Sequence, residues 1–386
     1  MHHPKQTFNL STYTEDLPYL SVYMTDQELF ALRLRSARVM KQLSIDKLLN
    51  RLREVSGLKL SKAAISKYEN GLMLPSPEIR QALAQTLEVD VDYFFRSMVC
   101  TNENASIEFR KKSSMRVGEV NALTEKVKDK VERYIEIEQI LQNAEAIPPS
   151  PQLQKSDVIK TKDDVLRFAN EVRGKWNLGL HPINNVQQVL ESHGVKVITI
   201  EANDDFDGLS GTINGEDPFV VINSNPQKNH IERRRLTVIH ELGHLLMTFD
   251  DGVTAKEREA FCHTFANEFL LPTRIFKAKL PQGSIINLLS LRPIQLQYGL
   301  SIDSLMKKAE QTGLIDKSTY TYYNIKKSES SFREVVERSL FYEAPIYDRF
   351  AFLVLRAYTF KIISLSKAKS LLYDAPDFVL KEFEAL

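Results

Sequence analysis

The chain contains the string His240-Glu241-Leu242-Gly243-His244. Residues four apart on a helix lie one turn above each other on the same face, so both imidazoles can reach one ion. Zinc accepts neutral imidazole nitrogen in a tetrahedral shell, and three protein ligands leave one corner for water. Glu241, beside the first histidine, could take a proton from that water and pass it to a leaving amine. The spacing therefore predicts a Zn2+ site that hydrolyses peptide bonds.

The residues around this motif bear on whether it is a chance match. The alternative interpretation is an amphipathic helix whose two histidines are ordinary core or surface residues. The flanking sequence VIHELGHLLM is apolar, which is typical of a buried metal helix and provides the dry surroundings that tune a bound water. The metal site is the interpretation that this context favours.

A third ligand must come from another segment, and the next predicted helix offers Glu257, Glu259 and Glu268. The two helices together resemble the ImmA/IrrE family of zinc peptidases, in which a HELGH helix precedes an E-x-x-A/C-x-x-F-A-x-x-F/L-L-x-P helix. The matching residues here are Glu259, Cys262, Phe265, Ala266, Phe269, Leu270, Leu271 and Pro272. The resemblance implies gluzincin-like geometry with Glu259 as the ligand, and it leaves Glu257 and Glu268 on the solvated helix surface.

Further residues near the motif are candidates for supporting roles. His263 lies one turn after Glu259, at a position where the family usually has Asn or Asp. We expect it to orient a ligand from outside the coordination shell, although it could also bind the ion or merely neighbour it. A basic residue such as Arg234 or Arg235 also recurs before the motif in the family, and a solvated charge run explains it equally well.

A predicted strand, Pro218 to Asn223, precedes the metal helix, as the edge strand does in zinc peptidases of this architecture. An edge strand can hold an extended peptide by main-chain hydrogen bonds and present one peptide bond to the metal site. The residues that would do so are Val220, Val221, Ile222 and Asn223. The alternative is a central strand, which would leave no edge for a peptide.

A second block lies between Leu32 and Phe95, with the sequences LRLRSARVMKQLSIDKLLNRL and LSKAAISKYENGLMLPSPEIRQALAQTLEVDVDYFF. It resembles the Cro/repressor-type (XRE) helix-turn-helix family, which implies binding to double-stranded operator DNA. Ser44 and Ser61 are the expected N-caps of its second and third helices. The stretch between these two serines is longer than the compact turn of the family, so helix two must be extended or the turn enlarged.

The third helix of this block is the candidate recognition helix. Ala64, Ile65 and Tyr68 are expected to face the core, and Glu69 fits a structural acid near the helix end. The residues expected to face DNA are Lys62, Ala63, Ser66, Lys67 and Asn70. Ten Lys or Arg against three Asp or Glu between Arg33 and Gly71 suit phosphate contact. A protein-interaction bundle without DNA binding is the alternative.

Around these motifs the pattern is α+β and mostly α. The segments LSGTI and PFVVIN predict an antiparallel hairpin, GVKVITIE predicts a strand, and helices are predicted at Thr161 to Trp176, Ile231 to Met247 and Ala255 to Leu271. We expect an N-terminal helix-turn-helix bundle, a central gluzincin-like zinc peptidase with a small antiparallel sheet, and C-terminal helices. The expected domains are 25–98 for DNA binding, 99–152 for a connecting helix and Pro-rich linker, 153–325 for the peptidase and 326–386 for the C-terminal helices.

The composition sets limits on the class of protein. With 386 residues, 43% hydrophobic and 26% charged, the chain is expected to be a soluble multidomain protein. A net charge of +1 excludes a globally basic nucleic-acid binder. Cys100 and Cys262 are expected to be reduced thiols. We find neither a membrane span nor a secretory signal in the sequence, which predicts a cytoplasmic location.

The resemblance implies a zinc-dependent endopeptidase, fused to a DNA-binding domain, that regulates transcription by cleaving a repressor or antitoxin partner. A homodimer is one expected arrangement, with the helix Leu123 to Ala146 as a spacer or dimerisation element. One alternative is a DNA-binding regulator in which the metal is structural or the site inactive. Another is a peptidase whose N-terminal domain is only a scaffold.

Overall fold

The computed structural model describes residues 24–96, 105–108 (backbone only), 116–203, 205–213, 215–225, 230–280, 283, 285–342 and 348–375. Two compact units are present, Met1–Thr101 and Asn102–Leu386. Cys100 and most of the basic stretch 109–116 lie outside the described residues. Among the helices that are described, none combines the length and the apolar composition that a bilayer crossing requires.

Four α-helices and a short 3₁₀ helix make up the described part of the first unit. They are α1 (Asp26–Met40), α2 (Ile45–Ser56), α3 (Lys62–Glu69), α4 (Pro77–Leu87) and the 3₁₀ helix Val91–Phe95. Ser44 and Ser61 cap α2 and α3 by accepting hydrogen bonds from Lys47 N and Ala64 N, as the sequence predicted. The unit encloses its own apolar core.

The long stretch between the two capping serines is explained by α2. This helix runs to Ser56 and ends at Gly57, which adopts a left-handed conformation with φ 73°. Glycine takes that conformation without the steric penalty of a β-carbon, so it stops the helix cleanly. The second helix is therefore extended, which is one of the two solutions that the sequence left open.

The second unit combines helices with two small sheets. Its strands are β1 (Ala105–Glu108), β2 (Val158–Ile159), β3 (Lys196–Ile200), β4 (Gly208–Ile213), β5 (Asp217–Asn223) and β6 (Thr248–Phe249). Its helices are α5 (Val117–Asn143), α6 (Lys162–Lys175), α7 (Val186–Ser192), α8 (Ile231–Leu246), α9 (Ala255–Leu270), α10 (Thr273–Lys279), α11 (Leu288–Tyr298), α12 (Ile302–Gln311), α13 (Lys317–Lys327), α14 (Ser330–Glu337), α15 (Arg349–Thr359) and α16 (Leu365–Leu371). The predicted mostly helical α+β class is confirmed.

The larger sheet has the strand order β1-β4-β5-β3. β4 and β5 form the predicted antiparallel hairpin, but β3 pairs with β5 in parallel, so the sheet is mixed and not antiparallel throughout. β2 and β6 form a separate parallel pair.

The prediction that Val220, Val221, Ile222 and Asn223 form an edge strand is wrong. β5 lies between β4 and β3, and these residues are nearly inaccessible to solvent. A strand buried on both faces favours an unbroken apolar run over an alternating pattern, and PFVVI is such a run. β4 pairs with β5 on one side and with β1 on the other, so β1 and β3 are the outer strands of the sheet.

α5 is a packed part of the second unit and not a free spacer. Its Val127, Val131 and Ile137 are fully buried. Its buried Arg133 binds Asp129 on the same helix and, at 2.6 Å, the Oδ1 atom of Asp374 near the end of the described chain. The same helix packs against α15 and β3. A dimerisation role for this helix stays a prediction.

Candidate metal centre

Three donor atoms from α8 and α9 converge on one point. His240 Nε2 lies 3.1 Å from His244 Nε2 and 3.2 Å from Glu259 Oε2, and His244 Nε2 lies 3.8 Å from the same carboxylate oxygen. Among the residues that the structure describes, these three side chains form the group suited to hold a metal ion. The helical spacing places the two imidazoles one turn apart, and α9 supplies the carboxylate.

The donor set fits zinc. Zinc binds nitrogen and carboxylate oxygen at about 2.0–2.1 Å, so two ligands of a tetrahedral ion lie about 3.3 Å apart. The three separations here, 3.1, 3.2 and 3.8 Å, scatter around that value. A set of two imidazole nitrogens and one carboxylate oxygen also suits zinc better than it suits calcium or magnesium, which bind mainly oxygen.

The close approach of α8 and α9 depends on Gly243 in the middle of the motif. A β-carbon at this position would lie 3.1 Å from Cδ1 of Phe265 on α9 and 3.3 Å from Cε of Met247. Phe265 is fully buried in the core of the unit. The glycine of the HELGH string therefore lets the helix that carries Glu259 pack directly against the helix that carries the histidines.

The other two candidate glutamates have structural roles. Glu257 accepts hydrogen bonds from Thr254 N and Oγ1 and forms the capping box that begins α9. Glu268 was expected at the solvated surface, and that expectation is wrong. It is buried and binds Lys308 Nζ at 3.0 Å and Thr273 N at 2.9 Å. Both carboxylates are thus engaged away from the metal site.

Glu241 is buried beside the first histidine, and Ser210 on β4 holds its side chain. Ser210 Oγ donates a hydrogen bond of 2.8 Å to Glu241 Oε2. β4 packs against α8 here because Gly208 has no side chain, and a β-carbon on it would lie 2.8 Å from Thr237 Cγ2 and 3.5 Å from Glu241 Cγ. Sequence reasoning missed Ser210, since nothing in the LSGTI strand marks which residue faces α8.

Two neighbours contact the histidines from outside the donor set. Cys262 Sγ lies 2.8 Å from His244 Nδ1, the ring nitrogen that does not face the metal point. A partner on that nitrogen fixes the tautomer and the orientation of a metal-binding imidazole. In the sequence, Cys262 is only one of the residues that match the family pattern, and this contact was not predicted.

His263 packs against His240 with ring centroids 4.2 Å apart. His263 is exposed as a whole, but partial desolvation of its ring, reinforced by His240, lowers the pKa of His263 to about 4, so the ring is neutral at neutral pH. It also lines a cavity of about 510 Å³ together with Lys162, Asp303 and Lys307. His263 thus neighbours a proposed ligand by ring packing, and its supporting role stays a prediction.

The two arginines before the motif, Arg234 and Arg235, differ in burial. Arg235 is fully buried, donates to the backbone oxygens of Ile183 and Asn184 and lies over the ring of Phe341 at 4.4 Å. It ties α8 to the segments around it, so a solvated charge run does not describe Arg235. Arg234 is exposed more than its neighbour, and lines a shallow pocket with Asp207 and Asn223.

In the first unit, α3 presents the predicted face. Lys62, Ala63, Lys67 and Asn70 are exposed, Ser66 is half-buried, and Ile65 and Tyr68 are buried. Glu69 forms a two-pronged ion pair with Arg38 of α1, with distances of 2.6 and 2.8 Å, which anchors the end of α3. Lys62 Nζ lies 2.7 Å from Asp46 Oδ1 of α2, so one of the predicted DNA contacts has an ionic partner within the unit.

Comparison with protein families gives two matches. A metallopeptidase family described as the IrrE N-terminal-like domain matches residues 190–309, and a helix-turn-helix family matches residues 34–94. The first range contains the three converging donors and Glu241, and the second contains α3. No curated protein and no solved structure matches the chain. The order of the two matches, an XRE-type helix-turn-helix region followed by an IrrE-like peptidase region, is the architecture of ImmA/IrrE proteins with an N-terminal helix-turn-helix domain.

Proposed function

We propose that this protein is a zinc-dependent endopeptidase that regulates transcription by cleaving a repressor or antitoxin partner. The observation that carries the proposal is the convergence of His240, His244 and Glu259 within 3.8 Å, next to the buried Glu241. The substrate class is supported by the resemblance to ImmA/IrrE peptidases, whose members cleave repressors of the helix-turn-helix class. A cytoplasmic location is part of the same proposal, because the DNA-binding domain needs access to operator DNA.

The chain's own residues supply positioning and proton transfer. When bound, zinc would act as a Lewis acid on a peptide carbonyl and lower the pKa of a water molecule toward neutrality. Glu241, adjacent to His240 on α8, would accept the proton of the attacking water and deliver it to the amine that leaves. Ser210 keeps the Glu241 carboxylate in one orientation through the hydrogen bond to Oε2.

The number of ligands favours a catalytic site over a structural one. Structural zinc is usually closed by four protein ligands, whereas catalytic zinc keeps an open position. Three donors converge here among the described residues. Glu241 lies beside them without belonging to the group, as expected for a base and not for a ligand. These features argue against a regulator whose metal only stabilises the fold.

We propose that operator DNA is held by α3 through Lys62, Ala63, Ser66, Lys67 and Asn70. The exposure of Lys62, Ala63, Lys67 and Asn70 supports this role, since a recognition helix must present its outward face to the major groove. Helix-turn-helix domains commonly bind paired half-sites as dimers, which is why a homodimer belongs to the proposal.

The proposed substrate class is tested by co-expression with the product of the adjacent gene as the candidate partner. We expect fragments of that partner with wild-type protein and intact partner with Glu241→Gln, with the cut located by mass spectrometry. Glu257→Gln is the matched control, because its carboxylate caps α9 and should be dispensable for cleavage. An intact partner in the presence of zinc-loaded wild-type protein would contradict the proposed substrate.

A further inference from the structure

The outer edge of β4 is occupied by a strand from the segment that precedes α5. β1 pairs with β4 in antiparallel register, with Ala105 opposite Ile213, Ser106 opposite Thr212, Ile107 opposite Gly211 and Glu108 opposite Ser210. This segment lies in the same compact unit as the metal centre. The pairing is a main-chain interaction, so it does not require a particular side chain on β1.

The β4 edge lies beside the reactive carboxylate. Ser210 on β4 holds Glu241, and the backbone of Gly208 approaches the same side chain. Because Glu108 is paired with Ser210, its α-carbon lies about 4.5–5.5 Å from that of the residue that binds Glu241. β1 therefore runs toward the catalytic centre, and Glu108 is the residue of β1 that lies opposite Ser210.

Among the strands that the structure describes, no other edge of the larger sheet lies beside Glu241. β5 is enclosed by β4 and β3, and β3 is separated from β4 by β5. An extended peptide that is to reach Glu241 by strand addition must therefore pair with the outer side of β4. That is the side on which β1 lies, and an edge strand pairs with one partner there at a time.

We infer that the outer edge of β4 is the peptide-binding surface of this protein, and that the segment Ala105–Glu108 occupies it as an internal blocking strand. A protein substrate must displace β1 before its own backbone can pair with β4. The inference rests on the proposed function only in identifying the ligand that displaces β1 as a substrate peptide. Blocking by the chain's own strand would reduce the fraction of sites open to substrate, and thus the rate of cleavage, until a signal releases the segment.

The test replaces Ser106 and Ile107 together by proline. Alternate amides of a strand face its partner, so one of these two adjacent residues donates its N–H toward β4, and proline removes that donor. The matched control is the double substitution Ser106→Ala and Ile107→Ala, which keeps both amides. All three chains carry Glu241→Gln and are zinc-loaded, so that no hydrolysis is needed for either readout.

The first readout is amide hydrogen exchange of the segment 105–108. We expect protection in the parent and alanine chains and fast exchange in the proline chain, with exchange elsewhere in the second unit unchanged. The second readout is retention of a proteome-derived peptide library on the immobilised protein. We expect the proline chain to retain roughly tenfold more peptide, the increase that follows if β1 leaves about a tenth of the sites open.

Fast exchange of 105–108 in the parent chain, or equal peptide retention by all three chains, would overturn the inference. A new N-terminus within or directly after this segment in zinc-loaded chain with Glu241 intact would also overturn it, since the strand would then be a substrate and not a block. Absence of hydrolysis in chains that keep Glu241 would instead contradict the proposed function, and the exchange and retention measurements would still decide the role of β1.

Discussion

Glu259 is the most accessible of the three proposed ligands, with 45% of its side chain exposed against 11% for His240 and 5% for His244. It is also the one negatively charged member of the set. The histidines are therefore held by the packing of α8, whereas the carboxylate contributes charge and closes the site from α9.

Replacing Glu259 with Gln should weaken zinc binding by more than about 100-fold. Substitution of residues that merely support metal ligands already costs about 10–100-fold, and this change removes a charged ligand. Competition with a chelator measures the affinity, with Glu257→Gln on the same helix as the control because that carboxylate belongs to the helix cap. Equal zinc affinity of the two variants would exclude Glu259 as a ligand.

Ser210→Ala should slow peptide hydrolysis by about 10–100-fold without changing zinc content. A hydrogen bond to a charged group contributes about 1.5–3 kcal/mol, and here it fixes the carboxylate that transfers the proton. Cleavage of a proteome-derived peptide library gives the rate, and zinc is measured on the same samples. Ser210→Thr keeps a hydroxyl and should retain most of the activity. A full rate in Ser210→Ala would show that Glu241 needs no such support.

The site residues that lie close together in the chain could be identified from the sequence alone. His240, Glu241 and His244 lie within five positions, and helical geometry alone brings the two histidines together. Glu259 required a family resemblance, because the spacing left three glutamates open. Ser210 and Cys262 could not be found this way, since their contacts depend on how β4 and α9 pack against α8.

At the scale of elements, the hairpin and the helices around the site followed from apolar periodicity and from turn residues between the strands. The central position of β5 in the sheet could not be predicted from these patterns. Whether a strand is central or at an edge depends on which other segments pair with it, and here β3 pairs with the side of β5 that the hairpin partner β4 leaves open. The buried pair of Glu268 and Lys308 depended in the same way on packing between α9 and α12, which the sequence pattern does not encode.

Lys308→Met should destabilise the second unit by about 3–5 kcal/mol at neutral pH, because it leaves the buried Glu268 without its cation. In the wild type, burial alone would raise the pKa of Glu268, but Lys308 and Thr273 bring it below its usual value. The contribution of this carboxylate to stability is thus present above its unfolded pKa and is lost as the pH falls through the lowered folded pKa.

In the Lys308→Met variant the pKa shift of Glu268 reverses its direction, since a buried carboxyl without its cation has a raised folded pKa. Its deficit in stability should therefore shrink as the pH is lowered from 7 toward 5. Thermal unfolding of zinc-loaded protein across that range measures this. Lys307→Met, at a half-exposed neighbouring lysine, should change stability little. A deficit that is independent of pH would contradict the ionic role of the pair.

At the scale of the whole molecule, a net charge of +1 conceals one basic segment of the first unit, Arg33 to Gly71, with ten Lys or Arg against three Asp or Glu. Electrostatic attraction to DNA must come from that unit, so the peptidase domain can be nearly neutral or acidic without loss of binding. Two separate motifs in the sequence predicted one region for DNA binding and another for peptide hydrolysis. The exact domain boundaries stay predictions.

Lys67→Ala should weaken binding to duplex DNA and reduce the slope of log affinity against log salt by about 1, as expected for one lost phosphate contact. Duplexes selected from a random-sequence library provide the probe. Lys256→Ala, at an exposed lysine of α9 in the second unit, is the matched control and should leave both quantities unchanged. If neither variant changes the salt slope, α3 does not carry the phosphate contact.

In the proposed metal centre, two helices hold one zinc ion beside a carboxylate that activates water. The decisive measurement is zinc content together with cleavage of a proteome-derived peptide library, both on the same samples. The samples are wild type and Glu241→Gln, each with and without the Ser106→Pro and Ile107→Pro changes that open the β4 edge. We predict one zinc per chain in all four proteins and cleavage only where Glu241 is present. A chain that stays metal-free after zinc supplementation, or equal cleavage with and without Glu241, would contradict the account.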